Sequence, residues 1–327
     1  MRRLFGLLLG SVLAFLHGSD PAAAQDWPNR PLTMTVAFPA GGSDDILGRI
    51  IASRPSELLG QQVSVENVGG GGGTAGTSRV AKAAPDGYQF ALGTSATHAL
   101  SQVLAKNPVY NAATDFTPVG LIAEQPFVLI ARKNLPADNL NAFIAHAKAN
   151  AGKMQYGSAG EGSATHLVCA MLDAAIGVDA KHVPYNGGAP ALQDLVAGKI
   201  DYFCPVVTIA IPQIQNKGVN AVAILSKTRT PVLPNLASAS EQGLASFNAS
   251  TWFALFLPKG TPASIVQRLN AALLAAVETP AVQTKLKEIG ADVVSPERRS
   301  PDYLQGFLKG EIDKWATAIK TANIKVE

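Results

Sequence analysis

Short apolar runs that stop at glycine- and serine-rich loops, each opening into an amphipathic helix, recur along this chain. Few folds accept that order. A strand, a crossover helix and a further strand pack as one unit, so sustained alternation predicts an α/β architecture with mostly parallel sheets flanked by helices. Leu32 to Phe38 reads as the first buried strand, followed by the turn Pro39-Ala40-Gly41-Gly42-Ser43. A helix starts near Asp44, with Ile46, Leu47, Ile50 and Ile51 on one face. Pro55 has no N–H to continue that helix and is expected to kink or restart it. Gln62 to Asn67 and Tyr88 to Leu92 read as the next strands, with a second glycine-rich loop, Gly69 to Gly76, between them.

The pattern then begins again. Strands are expected at 127–131, 154–157, 181–184, 200–204 and 221–225, with helices at 139–150, 165–175 and from Pro190. Ser250 to Leu257 is a further buried strand, and a long helix follows from Pro262 with Ile265, Val266, Leu269, Leu273 and Val277 at helical spacing. Shorter helices fill 282–288 and 301–321. Two such runs imply two lobes: residues 25–124 with 249–327 form the first, and 125–248 the second.

Hydrophobic residues make up 47% of the 327 positions and charged residues 16%, which excludes a disordered chain and predicts a large core. Lys and Arg number 27 against 24 acids, a net charge of +3 with no dense basic run, so nucleic acid is not an expected partner. Met1 to Ala24 has the parts of a secretory signal: Arg2 and Arg3, the apolar run Leu4 to Leu16, and Ala22-Ala23-Ala24 before a cleavage site at Gln25. That apolar run is shorter than the ~20 residues that span a bilayer. The mature protein is expected outside the cytoplasm, where disulfides are permitted. Cys169 and Cys204 both lie in apolar surroundings; one bridge can form, and two buried free thiols fit at least as well. Two cysteines and five scattered histidines suggest no metal site.

Three strand-to-helix junctions, 38–45, 67–77 and 157–166, are rich in Gly and Ser. In α/β sheets ligands bind beyond the carboxyl ends of strands, where helix N-termini offer unpaired N–H groups and a partial positive charge. Loops of this kind in two lobes would make a cleft for an anion, although Gly and Ser also form ordinary turns. Gly71 to Gly76 matches the G-x-G-x-x-G dinucleotide fingerprint, but Gly93, Thr94 and Ser95 stand where the acid that binds the ribose belongs. A nicotinamide cofactor is therefore not expected. Ser163 lies three residues before His166, yet no G-x-S-x-G elbow is present, so a hydrolase is also disfavoured.

Longer strings carry a resemblance. Trp27-Pro28-Asn29-Arg30-Pro31, Phe38-Pro39-Ala40-Gly41-Gly42-Ser43-Asp44-Asp45, Val65-Glu66-Asn67 and Ala83-Ala84-Pro85-Asp86-Gly87-Tyr88 are similar to the Bug-type proteins, the substrate-binding components of tripartite tricarboxylate transporters. Gly93-Thr94-Ser95, Tyr156-Gly157-Ser158, His182-Val183-Pro184-Tyr185, Gly187-Gly188-Ala189-Pro190-Ala191 and Trp252-Phe253 continue the match in order. The resemblance implies a two-lobed type II periplasmic binding protein, monomeric, without cofactor, metal or catalytic residues. It would close on a small carboxylate held by backbone N–H groups and ordered waters, then serve the membrane components of a transporter or a signalling receptor. Carried onto this chain, the ligand-binding positions are Phe38, Ala40, Gly41, Gly42, Ser43 and Asp45, with Thr94 and Ser95 at a strand end. The second lobe adds Ser158, Gly160, Glu161, Gly162, Ser163, His166, Tyr185 and Pro205. Asp45 is expected to order its loop or a water rather than touch an anion, and Asp44 to favour the helix N-terminus. Pro205 stands where many members have Asp, and Val206, Val207 and Ile209 follow it, which implies an apolar wall and a ligand with one carboxylate rather than citrate.

Overall fold

A computed structural model describes residues 27–321; the expected signal segment, 1–24, lies outside the described residues. The first half of the chain lays down β1 (Leu32–Val36), α1 (Ser43–Leu59), β2 (Val63–Asn67), α2 (Thr74–Ala81), β3 (Gln89–Thr94), the short α3 (Ser101–Leu104) and β4 (Phe116–Pro126). There follow β5 (Val128–Arg132), α4 (Leu140–Ala149), β6 (Gln155–Ser158), α5 (Ala164–Ile176), β7 (Lys181–Pro184), α6 (Gly188–Val196), β8 (Tyr202–Phe203), α7 (Val207–Gln215) and β9 (Val219–Ile224). The chain closes with β10 (Ser250–Pro258), α8 (Ala263–Glu278), α9 (Pro280–Glu288), β11 (Asp292–Val293) and α10 (Pro301–Thr321).

Two sheets result, one in each lobe, ordered β11-β4-β10-β3-β1-β2 and β7-β6-β8-β5-β9. Both are mixed, not mostly parallel as the alternation suggested. Strand β1 is parallel to β2 and β3, whereas β10 is antiparallel to both β3 and β4. In the second sheet β6 is parallel to β7 and β8, while β5 is antiparallel to β8 and β9. The cause is the crossing between lobes. Strands β1, β3, β6 and β8 end at the cleft, but β5 and β10 arrive from the other lobe and so run away from it.

Strand β4 has no counterpart among the sequence expectations. It contains Pro118 and Gly120, which read as loop, and its register against β10 shifts twice along its length. Helix α1 runs unbroken through Pro55, contrary to expectation. The Ser53 and Ser56 hydroxyls donate to the carbonyls of Ile50 and Ala52, on either side of the Ile51 carbonyl that Pro55 leaves without its helical donor.

Helices α1 and α8 cover one face of the first sheet, packing Leu47, Ile51, Leu269 and Leu273 against Leu32, Met34, Phe90 and Leu255. On the second sheet Leu195, Val207 and Ile211 meet Val128, Ile130, Phe203 and Ile224. Helix α10 lays Leu304, Leu308, Trp315 and Ile319 into a third cluster that runs through both lobes. Cys169 of α5 and Cys204, just after β8, are joined in a buried disulfide, which resolves the alternative left open by the sequence. Among the described residues no helix is long and apolar enough to cross a membrane.

Candidate functional site

Four helices begin at the cleft. Gly42, Ser43 and Asp44 open α1 from the first lobe; Ser163, Ala164 and Thr165 open α5 from the second, and Gly187 with Gly188 opens α6. Val206 and Ile209 bring in the start of α7. These residues surround a cavity of about 540 Å³, part of it open to solvent, completed by Phe38, Pro39, Thr94, Ala96, Ala159, Phe127 and Thr251. Phe127 and Thr251 lie on the two segments that cross between the lobes. A second hollow at the mouth is walled by Gly69 to Gly73 on one side and by Gly160, Glu161, Tyr185 and Asn186 on the other. The glycine run matched a cofactor motif in sequence, yet it forms the lip of the cleft. A Cβ on Gly72 would stand 2.8 Å from the Glu161 carbonyl oxygen of the opposite lobe.

Of the positions singled out from sequence, Phe38, Gly42, Ser43, Thr94 and Ser163 lie on the cavity wall, and Gly160, Glu161 and Tyr185 at its mouth. Gly41 faces an outer groove between α1 and α6, and Ala40 is exposed. Asp45 is buried away from the wall. Its carboxylate accepts the Gly41 N–H at 2.9 Å and pairs with Arg49 at 2.9 Å. Burial raises its pKa, but the bonds from Arg49, Gly41 and Asn67 outweigh that and hold it below the ordinary carboxylate value. Asn67 also donates to the Phe38 carbonyl at 2.9 Å, so the first loop is fixed by side chains on its protein side. Ser95 bonds Thr251 at 2.8 Å, tying the end of β3 to the crossing segment.

The second loop is braced in the same way. The Ser163 hydroxyl caps α5 by accepting the His166 N–H at 3.3 Å, and the Ala159 N–H donates to the Thr165 hydroxyl at 2.8 Å. Ser158 bonds the His182 ring at 2.6 Å, and the Gly162 N–H donates to the His166 ring at 3.3 Å. The two imidazoles stack at 3.9 Å. Burial lowers the pKa of His166; burial and then the neighbouring His166 push His182 down to about 4, so both rings are neutral at pH 7. Ser163 is thus a cap whose neighbour's ring is engaged elsewhere, and Ser163 forms no pair with a histidine ring. Glu161, His166 and His182 are close enough to suggest a metal site, but rings stacked within 8° of parallel cannot both aim a nitrogen at one ion.

Pro205 is buried with its carbonyl accepting the Val128 N–H at 2.9 Å, and it does not line the cavity. Val206 and Ile209 do, whereas Val207 packs into the core. The sequence alone marks Asp44 as a helix-end charge only. Here it is the one ionisable side chain on the cavity wall, and burial pushes its carboxyl up to about 6.

A two-lobed α/β receptor, its ligand cavity ringed by helix N-termini, is the class that this fold and cleft define. Residues 47–324 match the model of the tripartite tricarboxylate transporter family receptor, and the chain belongs to that family. Its fold superposes on MatC from Rhodopseudomonas palustris with bound malate (TM-score 0.86, 38% identity, 90% of this chain and 100% of that one). The periplasmic binding protein BugD gives a TM-score of 0.88 at 38% identity over 91% of this chain and 99% of its own. A further R. palustris protein, with adipate, gives 0.87 at 34% identity over 91% and 99%. These relatives are binding receptors, and this chain is a solute-binding receptor and not an enzyme.

Proposed function

We propose that the chain captures a small organic acid in the interlobe cavity and delivers it to the membrane components of a tripartite transporter. The observation that carries this reading is the meeting of the α1 and α5 N-termini from opposite lobes at a cavity lined by no Lys, Arg or His. An anion held there by main-chain N–H groups is bound by both lobes at once, which favours the closed arrangement. Phe38, Phe127, Val206 and Ile209 supply an apolar wall for the rest of the ligand, which favours one carboxylate on an apolar body over citrate. The malate and adipate held by the two relatives support a carboxylate as the common anchor. The lobes of this reading are 25–124 with 249–327 and 125–248, acting as a monomer after loss of residues 1–24 in the periplasm.

Isothermal titration with hexanoate, benzoate, malate, adipate and citrate tests it. A micromolar Kd, corresponding to about −8 kcal/mol, is expected for a ligand with a single acid group. Preference for citrate would refute the ligand class. Failure of every carboxylate to bind would refute the receptor reading as a whole.

A further inference from the structure

A cavity built to hold an anion is expected to exclude carboxylates from its wall, and this one places Asp44 there. The side chain projects from the first turn of α1, beside the N–H groups that would hold the ligand's acid. Its carboxylate accepts its own main-chain N–H and, at 3.4 Å, the Ser43 hydroxyl, and no Lys, Arg or His among the described residues pairs with it. Asp45 next door is fully engaged by Gly41 and Arg49, so Arg49 is already committed. The wall therefore offers N–H donors for one negative group and an unpaired carboxylate a short distance away. A partly buried carboxylate without a cationic partner is unfavourable, and a cation supplied by the ligand would relieve it.

We propose that Asp44 selects ligands that carry a positively charged nitrogen in addition to their carboxylate, so that the natural solute is an amino acid or quaternary ammonium acid and not a dicarboxylate. The inference rests on the receptor reading above and deepens it. With its carboxyl pushed up to about 6 by burial in the ligand-free cleft, Asp44 is still mostly ionised at pH 7. A dicarboxylate would bring its second charge toward this one within the same cavity, while an ammonium would complete a pair.

Matched probes separate the possibilities. Hexanoate, adipate and 6-aminohexanoate share a six-carbon chain and differ in the far group, and butyrate, succinate and 4-aminobutyrate repeat the comparison at four carbons. Titrated into the full mature protein at pH 7, the amino acid of at least one series is expected to bind tenfold or more tighter than its dicarboxylate. Asp44→Asn, and Asp44→Ser as a second variant, are expected to reduce that ratio to about one, with thermal unfolding confirming that each variant is folded. A dicarboxylate that equals or beats its amino partner in the wild type overturns the proposal. So does a ratio unchanged in both variants. If simple monocarboxylates bind and the ammonium adds nothing, this inference falls and the receptor reading stands; if none of these probes binds, nor benzoate, malate or citrate, both fall.

Discussion

Substituting Gly72 by alanine should lower ligand affinity without touching any cavity residue. Gly72 has φ of 63°, and a Cβ added there would meet the Glu161 carbonyl oxygen at 2.8 Å and the Gly162 carbonyl carbon at 3.0 Å. Ordinary contacts begin at 3.4 Å, so the lobes would have to part locally by about half an ångström. Two costs follow, and they can be separated. The left-handed backbone costs about 1–2 kcal/mol for a residue with a Cβ, and that cost is the same whether the lobes are open or closed. The clash exists only when they are closed. Gly60→Ala is the control, because Gly60 has φ of 69° and nothing within 4 Å of the added atom. Both variants should lose similar stability in urea without ligand. Only Gly72→Ala should also weaken binding of the tightest carboxylate in titration, by about tenfold, equivalent to 1.4 kcal/mol of lost closure. Wild-type affinity in Gly72→Ala, with stability matching Gly60→Ala, would refute the argument that this lip closes on ligand.

Replacing both Cys169 and Cys204 by alanine opens a loop of sequence separation 35, and urea unfolding should show a loss of about 4 kcal/mol; a loss below 1 would contradict it. Asp173, which accepts the Tyr202 hydroxyl at 2.5 Å, is pushed from 3.8 to about 7 mainly by burial. A carboxyl whose folded pKa is raised stabilises the fold while protonated, and that stability is lost as pH rises from about 4 to 7. Asp173→Asn should therefore gain on the wild type between pH 5 and pH 8, by at most about 3 kcal/mol, in urea titrations at both values; a constant difference would count against the burial argument. Ser163→Ala removes the α5 cap and should cost about 1 kcal/mol in unfolding while weakening carboxylate binding, with no esterase turnover to lose.

Much of this was legible because the signals are local. Gly42, Ser43 and Ser163 could be placed at the cleft because a strand end followed by a helix start is written in neighbouring residues. Where structure and sequence differ at the site, the difference is mostly of one position. Asp44 faces the cavity and Asp45 its own loop, since successive residues on a helix turn by about 100° and sequence alone does not set the phase. In the extended stretch before α7, Pro205 and Val206 point to opposite sides for the corresponding reason, and only Val206 reaches the cavity. Phe127 and Thr251 were out of reach because they meet only through the crossing of two distant segments. Strand direction failed for the same cause: whether β10 runs toward or away from the cleft depends on where the chain has come from.

The place of β10 also sets a schedule. It lies in the middle of the first sheet, between β3 and β4, and its residues are 250–258. As the chain emerges N-terminus first, β1 to β3 and β4 are held apart by a gap that only this late strand can fill. The second sheet is complete by Ile224, well before. The sheet of the lobe that is second in sequence can therefore be completed first, while β3 and β4 keep their facing edges open until β10 arrives.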